Sequence, residues 1–270
     1  SDRFSNQKEG LIDIAVIHYP RISNFTDFNV FEQMEEVSVR YVTSPDKLHD
    51  PDLIILPGSK NTMADLLWMR QNGLEAMIKR KAASTPVWGI CGGYQMLGDS
   101  IDDPDSVEEG GFIRGMELLK ISTVLNKQKI RSQVKGKLQD VDGIFPGLCG
   151  LSYEGYEIHM GHTTGSGKTP FSRIRTLTNG NAEAEKDWQA DGAVCGNVAG
   201  TYVHGLFEDG TLTKNLCSAL LSKKGICTEA LTQDYAAFKE SQYDLLAEEV
   251  RKALDMEQIY RMMEKQEGDR

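Results

Sequence analysis

The chain has 270 residues, 40% of them hydrophobic and 26% charged, enough to bury one large core or a core with an appendage. A formal net charge of −10 with no offsetting basic stripe excludes an ordinary nucleic-acid-binding surface. No apolar run reaches the roughly 20 residues of a membrane span, and five cysteines without a C-x-x-C pair fit a reducing, cytoplasmic setting better than a disulfide or zinc framework.

Residues 1–10 open Ser1-Asp2 without a Met and stay polar, so a linker or the remnant of a longer polypeptide or tag is expected there. No secretory signal is expected. Residues 11–17 (LIDIAVI) suit a buried strand. Residues 23–36, rich in Asn, Phe and Asp, end in a helix-compatible FEQMEE. Residues 37–42 predict a second strand and residues 53–56 (LIIL) a third, which Pro57-Gly58-Ser59 breaks at once. Residues 61–83 predict helix with a break at Gly73, and residues 87–90 a fourth strand.

Strands alternating with helices predict an α/β fold: a mostly parallel sheet flanked by helices, with the site beyond the carboxyl ends of the strands. Two loops fall there, residues 57–62 and 91–93. From residue 110 to about 203 the pattern turns strand-like (118–125, 130–138, 171–176), predicting extra β structure on the core. Residues 162–170 predict a surface loop. Residues 198–207 (VAGTYVHGLF) predict an apolar strand ending in His-Gly, and residues 211–224 a helix. In residues 235–263, Leu246, Val250 and Leu254 recur at helical spacing, and core packing is the simpler reading of that stripe. About half of the net charge lies in this tail, where residues 229–270 hold eleven acidic and six basic side chains. The expected division is residues 11–210 as the main domain and 211–270 as a C-terminal helical extension.

The most informative stretch is Gly89-Ile90-Cys91-Gly92-Gly93-Tyr94-Gln95, a G-x-C-x-G motif between a strand and a helix. It is the cysteine form of the strand–turn–helix nucleophile elbow. So tight a turn strains the nucleophile's backbone and leaves no room for side chains on its neighbours. The start of a helix also favours thiolate over thiol. The N–H of Gly92 is expected to bind the oxyanion formed when Cys91 attacks a carbonyl, with a second donor from the Gly58-Ser59 loop. Cys149, Cys195, Cys217 and Cys227 lack this setting and read as structural.

A cysteine nucleophile needs a base, and His204, at a strand's carboxyl end, stands where one should be. His159, in YEIHMG, could line the pocket, act as a second base or be structural. The pair His159 and His162 has H-x-x-H spacing, but on an extended stretch the two rings point to opposite faces, so no metal is expected. His18 and His49 carry no functional context. A third triad member is not evident: Leu206 stands two residues beyond His204, Glu208 four, and Glu157 lies near the other histidine. A Cys–His dyad is expected ahead of either glutamate as orienting acid. Residues 161–169 (GHTTGSGKT) imitate a P-loop, but His162 replaces its first glycine and Pro170 follows, so phosphate binding is rejected.

The G-x-C-G-G-Y-Q elbow, the L-P-G-S loop at residues 56–59 and the late V-H-G resemble class I (triad-type) glutamine amidotransferases, within the branch of cobyric acid and cobyrinic acid diamide synthases. The cobyric branch is favoured by PRISNFTD (20–27), LPGSKNT (56–62) and GYEIHMG (155–161). The resemblance implies a flavodoxin-like class I glutaminase fold. It implies that Cys91 attacks the side-chain amide of glutamine, forms a thioester and releases ammonia, with His204 moving the protons. It places Gln95 on the bound glutamine with Tyr94 close by, and Ser59 and His159 in the pocket. No cofactor is implied here; ATP and Mg are expected on a preceding synthase domain, which would amidate a corrinoid acceptor in cobalamin biosynthesis. That branch shares the absence of an H-x-E acid. Rival readings are a glutaminase subunit for another acceptor, such as cell-wall lipid, a cysteine hydrolase on the same sheet, and a non-catalytic regulatory domain of the synthase.

Overall fold

The computed structural model describes residues 10–165, 169–178, 181, 182, 188–226 and five positions between 244 and 252. The chain divides into two compact units, Ser1–Leu231 and Thr232–Arg270. Leu246, Val250 and Leu254 of the expected helical stripe, and Cys227, lie outside the described residues.

In chain order the first unit contains β1 (Ile12–Ile17), β2 (Ile22–Ser23), α1 (Asn29–Gln33), β3 (Val37–Val42), β4 (Leu53–Leu56), β5 (Gly58–Ser59), α2 (Thr62–Asn72), α3 (Leu74–Lys81), β6 (Val87–Ile90) and α4 (Gly92–Met96). There follow β7 (Ser100–Asp103), β8 (Gly111–Arg114), β9 (Ser122–Leu138), β10 (Ser152–Thr164), β11 (Ser172–Thr178), β12 (Asn181–Ala182), β13 (Gln189–Asp191), β14 (Ala193–Cys195), β15 (Val198–Thr201), β16 (Val203–His204) and α5 (Gly210–Lys223).

The first sheet has the order β14-β15-β6-β4-β1-β3, parallel throughout except for β14. Counted along the chain, its parallel strands stand 2-1-3-4-5, the flavodoxin-like order. The central strands β4 and β6 are unbroken apolar runs because both their faces are buried, whereas β1 and the edge strand β3 carry the paired Asp13 and Arg40. On one face Ala15, Ile17, Ile54, Leu56 and Val87 pack with Met63, Leu66 and Ile78. On the other, Trp88 meets Phe145, Phe171 and Phe207 at ring-centroid distances of 5.0–5.1 Å.

Helix ends follow local chemistry. Asn61 caps α2 by accepting from the Ala64 N–H at 2.9 Å, and Asp209 caps α5 by accepting from Leu212 at 2.9 Å. Gly73 breaks α2 from α3 with φ 86°, a left-handed conformation that glycine adopts without a Cβ clash. Helix α5 buries Leu212, Leu216, Leu220 and Leu221. It lies within the first unit, Ser1–Leu231.

The extra β structure forms a second sheet, β12-β11-β9-β10-β16, with β7, β8 and β13 attached. It is more continuous than the expected short stretches. Strand β9 runs through 17 residues because β10 pairs along it on both sides of a bulge between Met160 and His162. Residues 162–164, expected in a loop, close β10, whereas 166–168 lie outside the described residues. The expected strand 198–207 divides at Tyr202: β15 completes the parallel sheet, and β16 crosses to pair with β10 through Tyr156↔His204 and Glu157↔Val203. This crossing lays β10 over the carboxyl ends of the parallel strands.

Candidate active site

Cys91 sits between β6 and α4 with φ 52° and ψ −109°, strained for a residue with a side chain. The turn is pinned on both sides. The Cys91 N–H donates to the Thr201 carbonyl at 2.8 Å, and the Gly93 N–H to the Pro57 carbonyl at 3.1 Å. The glycines permit this closeness: a Cβ on Gly93 would stand 2.0 Å from the Leu56 oxygen, and one on Gly89 2.8 Å from the Gly93 carbonyl carbon. The sulfur is nearly buried and lies 3.7 Å from the Ile158 carbonyl of β10.

His204 faces it from the end of β16. Its Nδ1 lies 2.8 Å from Asp27 Oδ2, while Asp27 Oδ1 accepts from the Gly205 N–H at 3.2 Å. Both side chains are buried, at 1% and 3% exposure. Nε2 makes no hydrogen bond to the protein. Burial alone would lower the imidazole pKa, but the Asp27 carboxylate and the Cys91 sulfur outweigh it and raise it to about 10. Tyr156 stacks on the ring at 5.4 Å and 20°. A Cβ on Gly58 would lie 3.1 Å from His204 Cε1, so the loop backbone closes in on the ring as well.

The carboxylate bonded to His204 is Asp27, where a Cys–His dyad was expected ahead of Glu157 or Glu208. Neither Nδ1, which is bonded to Asp27, nor Nε2, which has no hydrogen-bond partner, meets either glutamate. Glu157 instead accepts from Ser132 at 3.2 Å and lies 3.6 Å from His159. Glu208 is exposed at the end of the turn Leu206–Glu208. Asp27 sits in the turn Phe25–Phe28, which Asn24 enters with a left-handed φ of 53°.

Gly58 and Ser59, the loop expected to supply a second oxyanion donor, form the short strand β5. Strands β2 and β5 pair antiparallel as Ile22↔Ser59 and Ser23↔Gly58, and the Lys60 N–H donates to the Arg21 carbonyl at 2.9 Å. Bonded pairs alternate along such a ribbon, so Gly58 is engaged with Ser23 and the Ser59 N–H turns away from β2. A Cβ on Gly92 would stand 3.0 Å from the Ser59 nitrogen, so the Ser59 backbone packs against Gly92, the residue after Cys91.

Gln95 and Tyr94 are buried behind the elbow. The Gln95 Nε2 donates to the Met160 carbonyl and the Tyr202 hydroxyl, each at 3.1 Å, and its Oε1 accepts from Thr62 at 3.2 Å. Both of its N–H groups are thus used in holding β10 and Tyr202 in place. Tyr94 packs edge-on to Tyr202, and burial pushes its hydroxyl pKa well up. His159 stacks on Tyr202 at 3.7 Å and 15°, is buried, and makes no hydrogen bond through either ring nitrogen. His162 is exposed.

Beneath these residues, Asp191 accepts from Thr201 Oγ1 at 2.5 Å and from Ser172 and the Tyr202 N–H at 3.1 Å. Burial lifts its carboxyl pKa to about 6 despite those bonds. Of the other cysteines, Cys149 and Cys195 are exposed, and Cys217 is buried with its thiol pushed up to about 12. Among the described residues, no group of three or more His, Cys, Asp or Glu could hold a metal ion, and no helix is long and apolar enough to cross a membrane.

Residues 13–212 match the CobB/CobQ-like glutamine amidotransferase domain. The chain is 52% identical over 98% of its length to the cobyric acid synthase of Ruminiclostridium cellulolyticum, of which it spans 51%. It is 46% identical over 98% of its length to that of Lachnoclostridium phytofermentans, of which it spans 52%. Against that of Yersinia enterocolitica the identity is 42% over 99%, again spanning 52%. The chain thus covers about half the length of these relatives. Among solved structures, PurLQS from Thermotoga maritima shares the fold with a TM-score of 0.56 and 21% identity, covering 79% of this chain and 99% of that one. A putative GMP synthase subunit from Thermoplasma acidophilum does so with a TM-score of 0.51 and 16% identity, covering 80% and 98%.

Proposed function

The chain belongs to the CobB/CobQ-like glutamine amidotransferase family, and on that premise we propose that Cys91, His204 and Asp27 hydrolyse glutamine as the ammonia-supplying half of a cobyric acid synthase. The observation that carries this reading is the line from Asp27 through His204 to Cys91, buried at the carboxyl ends of the parallel strands. Its chemistry runs in two halves. The Cys91 thiolate attacks the side-chain amide carbon, and the amides of Gly92 and Ser59 receive the oxyanion. His204, held as imidazolium by Asp27, gives its proton to the departing nitrogen, and ammonia leaves. The neutral imidazole then takes a proton from water, which attacks the thioester and releases glutamate.

Ammonia would pass to the other half of the polypeptide, where ATP and Mg are expected and a corrinoid carboxylate is the acceptor. The relatives' identities of 42–52% under one name favour this acceptor over cell-wall lipid. The cysteine usage suits a cytoplasmic site. In the test, glutamine hydrolysis is measured for the wild type and for Cys91→Ala, each with the synthase half added. Turnover that disappears with the sulfur supports the reading. Equal turnover in both proteins, or none in a folded wild type, overturns it.

A further inference from the structure

Asp65 lies in the first turn of α2 and is completely buried, yet the helix does not use it as a cap, since Asn61 fills that role. A buried carboxylate is costly unless its oxygens are bonded. Here Oδ2 accepts from the Ser59 hydroxyl at 2.6 Å, and Oδ1 accepts from the Arg21 N–H at 3.3 Å with the Arg21 guanidinium 3.5 Å away. Ser59 belongs to β5, and Arg21 immediately precedes β2. One carboxylate thus grips both sides of the short ribbon that brings the Ser59 amide up to Gly92.

The grip leaves the ribbon little freedom. The Ser59 hydroxyl donates to Asp65 and accepts from the Asn61 N–H at 3.0 Å, which fixes its orientation. The buried Tyr19 hydroxyl donates to the Pro57 carbonyl, which also receives the Gly93 N–H. The ribbon between these anchors contains Gly58 and Ser59, and Ser59 is tied down through its side chain to Asp65.

We propose that Asp65 is a positioning residue for the oxyanion site, holding the Ser59 amide beside that of Gly92 through the Ser59 hydroxyl. The proposal rests on the glutaminase reading above. It separates the loop's task from the nucleophile's: Asp65 touches neither Cys91 nor His204 and acts only on the placement of a donor. A donor displaced by about 1 Å loses roughly 10²-fold in rate.

The test is a double-mutant cycle of Ser59→Ala and Asp65→Ala in the full chain with the synthase half present, together with Asp65→Asn. Each single substitution is expected to lower kcat for glutamine by about 10- to 10²-fold with KM within about twofold. The double variant should be no slower than the slower single one. Asp65→Asn, which retains one acceptor, should recover part of the loss. Alkylation of Cys91 by iodoacetamide, a direct displacement that forms no oxyanion, should keep its wild-type rate in all four proteins. Effects that multiply in the double variant, an unchanged kcat, or alkylation that slows in step with hydrolysis would overturn the proposal. Ser59 is half-buried on the two-residue strand β5, so Ser59→Ala supplies the answer even where Asp65→Ala does not fold. A wild type without glutamine turnover refutes the glutaminase reading itself, whereas an active wild type with equally active variants refutes only the role of Asp65.

Discussion

His204 can give and take a proton at one nitrogen only if the other is held in a fixed tautomer. Asp27 does this from one edge of the ring, and its second oxygen is fixed by the Gly205 N–H. Asp27→Asn keeps the shape and removes the charge. We expect kcat to fall by at least about 10²-fold, toward the ~10⁴-fold that loss of the orienting aspartate costs a Ser-His-Asp triad, as measured by steady-state glutamine hydrolysis. The same pair gives stability a pH signature. The folded imidazole pKa, about 10, stands above its ordinary value of 6.5, so the stabilisation is complete below about pH 6.5 and is lost as pH rises through 10. Urea unfolding should show a loss of stability between pH 7 and 10 in the wild type and a shallower loss in Asp27→Asn. An equal slope in the two proteins would mean that Asp27 does not hold the charge. Cys91 and His204 were legible in the sequence because each stands in a local pattern of strand, turn and glycine. Asp27 was not, although its stretch contributed to the resemblance. It lies 177 positions from His204 in an irregular turn, and only the folded sheet brings the two together.

At the scale of elements, the break between α2 and α3 illustrates how one backbone angle sets an architecture. Gly73 ends one helix at φ 86° and opens the next within a single residue, which turns Leu74 and Ile78 into the core. A side chain in that conformation costs about 1–2 kcal/mol. Gly73→Ala should therefore lower the stability measured by urea unfolding by about that amount, and Gly73→Asn by less, because Asn tolerates the left-handed region. Equal losses would point to packing and not to backbone angle. This break and the first four parallel strands were readable because each strand is a short, mostly apolar run with hard punctuation. The second sheet was harder to read. In β9 the exposed residues Lys127, Gln128 and Lys129 interrupt the apolar pattern, so one strand looked like two. Its continuity comes from the long partner β10, a tertiary fact without a local signature.

At the scale of the molecule, the active site is built from parts that meet only once the whole first unit has folded. Cys91 comes from the parallel sheet, His204 from the strand that crosses between sheets, Asp27 from the turn after β2, and β10 covers them. A shift of β10 would move Ile158 against the sulfur and Tyr156 against the imidazole together. This gives a partner domain a physical handle on hydrolysis, because whatever seats β10 also sets the nucleophile and its base. The chain spans 51% of its Ruminiclostridium cellulolyticum relative, and the synthase half is the partner proposed above. Hydrolysis that ran freely would consume glutamine without an acceptor. We therefore expect glutamine turnover to rise at least about tenfold, equivalent to ~1.4 kcal/mol of barrier, when a separately expressed synthase half, ATP and a corrinoid acceptor are added together. Omitting the acceptor should return the rate toward that of the chain alone. Ammonia release followed under each combination checks this, and Cys91→Ala supplies the background. Turnover that is already maximal without the partner would show a site complete in itself, leaving β10 as a lid with nothing to report.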